Sequence, residues 1–441
     1  MNIYTITLSV VLTSFSVSSL SADIPVGPGT GSLQSAINSA ETGDTLILSS
    51  GNYAAANDEV IFDKALTVRA ESAESVVSIN ASILTHPQLS SPLEFLRFQG
   101  LKINGPHWCF KSMNVDNLEF LEISAWCSNI TFEATNDITI IGSKFTATFD
   151  SLNVKADKMS VLGSVIDARD GVTVNANELD FIGNEVTSYY HSNSFNSSGT
   201  GGKLIAANRF NYRLTGMQYT KVHSTKEFRM LDASSSNVNN VVYRNNVFKI
   251  DLTNFTGFND EGVLERIEFL RNVKESDYFY NNVMDFASLA IYQPASGVSD
   301  LGPMFDGKFG AFEGNIIINH NDDLFDPLFT ENVKYNLGFN NYELFGSESS
   351  NLNAEPLLNN DYSLSPESPA VDSGPVAAYL SDLDLSRNDI GAYGGSWSIG
   401  QYDVQRANDA IGPFVYPVLD AQQGVANGEL KLKLISYPRL K

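Results

Sequence analysis

One short pattern recurs along this chain and limits what it can fold into. Alternating apolar residues are followed by a small or Asn pair and then by another apolar residue. It reads Ile138-Thr-Ile-Ile-Gly-Ser-Lys-Phe145, Met159-Ser-Val-Leu-Gly-Ser-Val165 and Leu179-Asp-Phe-Ile-Gly-Asn-Glu-Val186. It returns as Leu204-Ile-Ala-Ala-Asn-Arg-Phe210, Val241-Val-Tyr-Arg-Asn-Asn-Val247, Tyr278-Phe-Tyr-Asn-Asn-Val283 and Phe312-Glu-Gly-Asn-Ile316. The first copies start 21 and 20 residues apart, and the later ones are spaced more widely. Short strands cut by a turn at this interval cannot bury a face alone, but stacking one copy on the next does so. The pattern predicts an all-β chain, a right-handed parallel β-helix. Like positions then form columns. Ser143, Ser164, Asn184, Asn208, Asn246, Asn282 and Asn315 fall into a polar turn column whose side chains can bond along the axis.

The ends of the repeat are marked. Leu33, Ala36, Ile37 and Ala40 lie on one face of a short helix that stops at Gly43, ahead of a buried strand at Thr45-Leu-Ile-Leu48. Such a helix would cap the first coil, whose open strand edge otherwise invites aggregation. Residues 1–22 read as a signal peptide, with an apolar run from Tyr4 to Val17 and small residues up to Ala22, which implies a secreted, periplasmic or cell-surface protein. No later run of about 18 apolar residues predicts a membrane span. Cys109 and Cys127 sit in matching Trp-Cys dipeptides 18 residues apart. On adjacent coils they could form a disulfide or remain two buried thiols.

Near the C-terminus the chain changes character, at Leu364-Ser-Pro-Glu-Ser-Pro-Ala-Val-Asp-Ser-Gly374 and Asp382-Leu-Asp-Leu-Ser-Arg-Asn-Asp-Ile-Gly-Ala-Tyr-Gly394. These segments resemble the closing stretch of secreted β-helix proteins of the pectate-lyase-like superfamily, and Leu33–Tyr53 resembles its opening stretch. The resemblance implies a β-helix over residues 23–396 with Arg387 and Asp389 as pins of the closing turn. It leaves 397–441 as a tail of unknown role.

The charge is uneven. The chain carries −23 overall, which disfavours nucleic acid and anionic membranes, yet residues 201–250 carry +6. The cations there are Lys203, Arg209, Arg213, Lys221, Lys226, Arg229, Arg244 and Lys249. A basic belt in an acidic protein suits an anionic polysaccharide. The candidate substrate contacts are Arg213, Lys226, Arg229, Arg244 and Tyr219. The carboxylates Asp260, Glu261, Glu265 and Glu268 follow, with Arg271 and Lys274 after them. Carboxylates beside cations suit a calcium-assisted elimination, in which oxygen ligands hold the ion and a neutral Lys removes a carbon-bound proton. They equally suit a solvated strand flank.

The stretch from Lys226-Glu-Phe-Arg-Met230 through Asn282 is similar in layout to alginate lyases related to chondroitinase B. That resemblance implies Glu265 and Glu268 as calcium ligands and Lys274 as the base. Here the glutamates stand three apart rather than two, and no Arg-His-Gly is present. Arg271, Lys221 and His223 complete the candidate catalytic set. Two functions follow. One is a lyase cleaving a uronate-containing glycan by β-elimination; the other is a non-catalytic, glycan-binding or adhesive β-helix. Insertions at 188–202, 215–240 and 287–310 mark the side where either function would lie.

Overall fold

The computed structural model describes residues 21–189, 193–213, 227–232, 240–251, 266–286, 305–319, 332–340, 350–377, 380–382, 384–402, 414–419 and 432–437. The chain winds as a parallel β-solenoid of about 11 turns. One parallel sheet has 18 strands and the other 14. A middle coil shows the plan. Leu152–Leu162 forms a long strand that turns a corner, pairing first with Ile130–Glu133 and then with Asp137–Ile141. After Gly163-Ser164 the chain enters the second sheet at Val165–Ala168, next to Lys144–Ala147. Each complete coil therefore has three flanks. The copies Ile138, Met159 and Leu179 lie level in register, as their 21- and 20-residue spacing requires.

Period-two alternation fills the interior. One inward column runs Val68, Phe98, Phe120, Ile140, Val161, Phe181, Ile205, Tyr243, Phe279 and Phe312, each level with the next. Ile79, Ile103, Ala125, Phe145, Ile166, Val186, Phe210, Phe248, Met284 and Ile317 line the opposite wall. Rings meet within and between the walls, as in Phe120–Phe145 at 5.8 Å and Phe210–Phe248 at 4.9 Å. Offset and edge contacts of this kind add about 0.5–1.5 kcal/mol each beyond the area they bury.

The turn between the sheets is the most repetitive part. Gly142, Gly163, Gly183, Ala207, Asn245, Asn281, Gly314 and Tyr335 all have φ between 53° and 71°. The residue after each is Ser or Asn, and its side chain points along the axis. The amide N–H groups of Asn184, Asn208, Asn246 and Asn282 donate to the Oδ1 of Asn208, Asn246, Asn282 and Asn315 at 2.8–3.0 Å. Each Nδ2 also bonds to the same Oδ1 and to a strand carbonyl of the coil before, as Asn246 does with Asn282 and Ile205 at 2.9 and 2.7 Å. Ser143 and Ser164 begin the column, and Asn336 and Asn351 extend it past Asn315. The polar column expected from the sequence is a continuous ladder, and its members are buried.

The N-terminal end is capped. Ser32–Ser39 is the N-terminal helix, with Leu33 and Ile37 buried against the first coil. The export segment up to residue 20 lies outside the described residues. Toward the other end, the chain folds back along the outside of the coils. Leu121, Ile141, Leu162, Ile182 and Ala206 form an outward apolar column, and Ile390, Ala392, Trp397, Ile399 and Tyr402 join it in a second hydrophobic cluster. Arg387 donates to Gly374 O and Ser373 O, and Asp389 accepts the Asp372 N–H at 2.7 Å. Asn281 Nδ2 donates to Asn388 Oδ1 and Asp389 O, both at 2.8 Å, so the closing segment is tied to the turn column. Residues 397–402 continue this packing, with Trp397 stacked on Tyr402 at 5.6 Å. Beyond them Phe414–Leu419 pairs antiparallel with Leu432–Tyr437.

Cys109 and Cys127 are joined by a disulfide, with Cα atoms 5.7 Å apart. It closes a loop of 18 residues, which the chain-entropy model values at about 3 kcal/mol. Reduction, or the double variant Cys109→Ser/Cys127→Ser, should lower unfolding stability by about that amount; an unchanged denaturant midpoint would contradict this. In the ladder, Asn246→Ala strands the buried N–H groups of Asn208, at about 1–3 kcal/mol for each. We expect a loss of about 3 kcal/mol or more in chemical denaturation. Asn153→Ala, which gives up only a bond to Ser151 Oγ, should stay within about 0.5 kcal/mol.

Candidate functional site

The strands bring several of the sequence-derived candidates onto two adjacent coils of one flank. Glu227–Asp232 pairs parallel with Arg266–Val273. That register sets Glu227 opposite Arg266, Arg229 opposite Glu268 and Asp232 opposite Arg271. Three of the five matches in this register therefore set opposite formal charges level with each other. Lys274 follows directly, half-buried, at the start of a turn. Lys221, His223, Lys226, Tyr219 and Glu265 lie outside the described residues, as do His191, Asp322, Asp323 and Asp326.

The basic belt is not a single surface. Lys203 is 3% exposed, and its amine donates to Gly199 O and Gly201 O at 2.9 and 3.4 Å. Arg209 bonds to Asp361 O and the Tyr393 hydroxyl of the closing segment. Arg244 is 2% exposed and lies level with Ala206 in the outward column that this segment covers, with Gly395 beside its guanidinium. Its position is one of packing under the cover, not one open to a polymer. Arg213 is exposed and Lys249 half-buried, in strands that pair with each other.

Lys274 has a buried neighbourhood. The Asp277 carboxylate accepts the Lys274 N–H at 3.0 Å and the Val241 N–H at 3.1 Å, while the Asp277 N–H returns to Lys274 O at 2.8 Å. Asp277 is fully buried. Burial pushes its carboxyl up to about 6, although both N–H donors and the charges of Lys274 and Lys203 pull the other way. Burial also pushes the Lys203 amine down; Asp277 opposes this shift and Lys274 adds to it. Register explains how Lys203 came inside. It stands level with Leu179 below and Val241 above, in the inward position that Ile138 and Met159 fill in earlier coils. The spacing to Asn208 was the available signal, because it matches Leu179 to Asn184 only if the copy starts at Lys203 rather than Leu204.

A second group of side chains went unnoticed in the sequence. Trp108, Trp126 and Phe149 are the exposed Trp and Phe side chains among the described residues, at 39, 58 and 64%. They lie on neighbouring coils at one corner. Trp108 bridges to Asn129, and Phe149 donates its N–H to Ser128 O on the same coil as Trp126. The Arg169 guanidinium lies 5.8 Å from the Phe149 ring centre. Trp108 and Trp126 stand in the Trp-Cys dipeptides, whose matching spacing points to the cysteines rather than to the rings.

No family model and no curated protein matches the chain. Among solved structures, the chain is similar to one described as the crystal structure of pectate lyase Pel9A. The identity is 12% and the TM-score 0.41, over 85% of this chain and 96% of that one. The solenoid assignment rests on the strand register itself. Among the described residues, no helix is long and apolar enough to cross a membrane.

Asp277 makes stability depend on pH. Its folded carboxyl titrates near 6, above the ordinary 3.8, so the folded state holds the proton more tightly. The resulting stabilisation is complete below about 4 and disappears as pH rises through 6. Asp382, pushed up to about 6 by burial in the closing turn, acts in the same direction. The thermal midpoint difference between pH 4 and pH 7 should therefore shrink toward higher relative stability at pH 7 in Asp277→Asn, whose amide oxygen keeps one acceptor. An identical pH profile in the variant would rule out this linkage.

Proposed function

We propose that the protein is an exported β-helix that cleaves a uronate-containing polysaccharide by β-elimination on the flank formed by Glu227–Asp232 and Arg266–Val273. The observation that supports this reading is their parallel register. It brings Arg229, Glu268 and Arg271 onto neighbouring rungs immediately before Lys274. In this reading Arg229 and Arg271 would neutralise the uronate carboxylate, which acidifies the proton on the adjacent carbon. Lys274 in its neutral form would take that proton. The carbanion's electron pair then forms the carbon–carbon double bond and expels the glycosidic oxygen, which takes up a proton from water. Lys221 and His223 are the reserve candidates for the proton transfers, and Lys226, Arg213 and Tyr219 for holding neighbouring sugars.

Glu265 and Glu268 would be the residues to hold a calcium ion. Glu268 lies level with Arg229, and Glu265 lies outside the described residues. The second reading, a glycan-binding β-helix without catalysis, draws support from the same register, because three opposite-charge matches can satisfy one another without a ligand.

Incubation with alginate, pectin and chondroitin sulfate, each with calcium and with chelator, should produce the ultraviolet absorbance of unsaturated chain ends on one of them. Lys274→Ala should reduce that rate by about 100-fold or more. No new absorbance on any uronate polymer would leave the non-catalytic reading, and full activity in Lys274→Ala would transfer the base role to Lys221 or His223.

A further inference from the structure

We infer that the corner carrying Trp108, Trp126 and Phe149 is a separate binding face for an uncharged polysaccharide chain, laid along the solenoid axis over the early coils. This inference is independent of the lyase reading, whose flank is formed by Glu227–Asp232 and Arg266–Val273. Large apolar rings are costly to leave in water, and isolated ones need no explanation. Here the exposed Trp and Phe side chains of the described residues are gathered on neighbouring coils at one corner. Their backbone positions are fixed. The disulfide joins the residues that directly follow Trp108 and Trp126, with Cα atoms 5.7 Å apart. Anchoring the backbone beside each Trp leaves less conformational entropy to lose when a ring stacks on a sugar.

The groups beside the rings suit hydroxyls. Trp126 heads an outward column that continues through Thr146, Asp167, Thr187 and Asn211, with successive members level on paired strands. Adjacent rungs are about 4.8 Å apart, so an extended glycan running along the axis meets a fresh donor or acceptor at each step. Tyr189 reaches Asp167 at 3.4 Å, and Asn129 donates to Asp150 at 2.8 Å, so these polar groups are held in place. Charge identifies the occupant. Lys102, Lys144 and Arg169 balance Asp150, Asp167 and Asp170 on these coils, so a polyanion would meet no positive surplus here. The face therefore fits neutral pyranoses better than uronates, the reverse of what the later coils are proposed to bind.

Affinity electrophoresis of the full chain through gels containing xyloglucan, galactomannan or hydroxyethyl cellulose tests this, with alginate run in parallel. We expect retardation by at least one neutral polymer. Trp126→Ala and Phe149→Ala should each weaken it about tenfold, and the double variant should abolish it with an unchanged thermal midpoint. Lys274→Ala should bind normally whatever becomes of the lyase reading. The inference is overturned if no neutral polymer retards the chain, if the double variant binds as well as the parent, or if alginate alone retards it. Concentration-dependent self-association that the double variant loses would also overturn it, by assigning the face to a second copy.

Discussion

The left-handed residue followed by Ser or Asn at the turn between the two sheets is the constraint on which the rest of this solenoid depends. A non-glycine residue in that conformation costs about 1–2 kcal/mol. The chain accepts it at Ala207, Asn245, Asn281 and Tyr335 as well as at glycines. The return is a buried amide that bonds at once to the coil above and the coil below. Because Asn208, Asn246, Asn282 and Asn315 each serve two neighbours, the turn fixes the register between successive coils. Once register is fixed, the alternation of the flanking strands sends Phe181, Tyr243 and Phe279 inward together. A slip by one residue would turn every one of them outward.

The same turn decides where the chain must be covered. The residue immediately before it is apolar on coil after coil, at Leu121, Ile141, Leu162 and Ile182, and it faces outward. The closing segment lies over this column, and Asn245 and Asn281, themselves turn residues, bond to its backbone at Ala392, Gly394 and Asp389. Gly183 leaves the room that Tyr402 occupies: a Cβ there would come within 3.0 Å of the tyrosine Cβ. The cover is thus seated on the ladder's own corner, and Arg209 and Arg244 belong to that seat.

Periodicity made the fold legible and left function obscure for the same reason. The spacing of Ile138, Met159 and Leu179, the helix face of Leu33 and Ile37, and the ladder from Ser143 to Asn315 are repeated or strongly patterned, and each appears where the sequence placed it. The doubled apolar pairs Ile140-Ile141, Val161-Leu162 and Phe181-Ile182 also carried a signal, because a strand apolar on both faces needs a cover outside as well as a core inside. Counting cations along the chain could not separate Lys203, which faces inward, from Arg213, which is exposed. One residue of register makes that difference, and only the Asn column sets it.

The interior charges show what that register costs. Lys203 and Asp277 occupy positions where earlier coils place Ile138, Met159 and Leu179, and both have titration shifted toward the neutral form by burial. Neither is left bare. Lys203 donates to the carbonyls of Gly199 and Gly201, which approach the coil below so closely that a Cβ on either would clash with the Ala176 or Asn177 backbone. Asp277 gathers two backbone N–H groups. Two apolar side chains would fill the same column with less electrostatic cost. Each of these charges instead binds backbone at the corner where a coil departs from the regular early pattern. In this solenoid, then, buried charge replaces apolar packing where the coils lengthen, and it holds the base of the flank that presents Lys274.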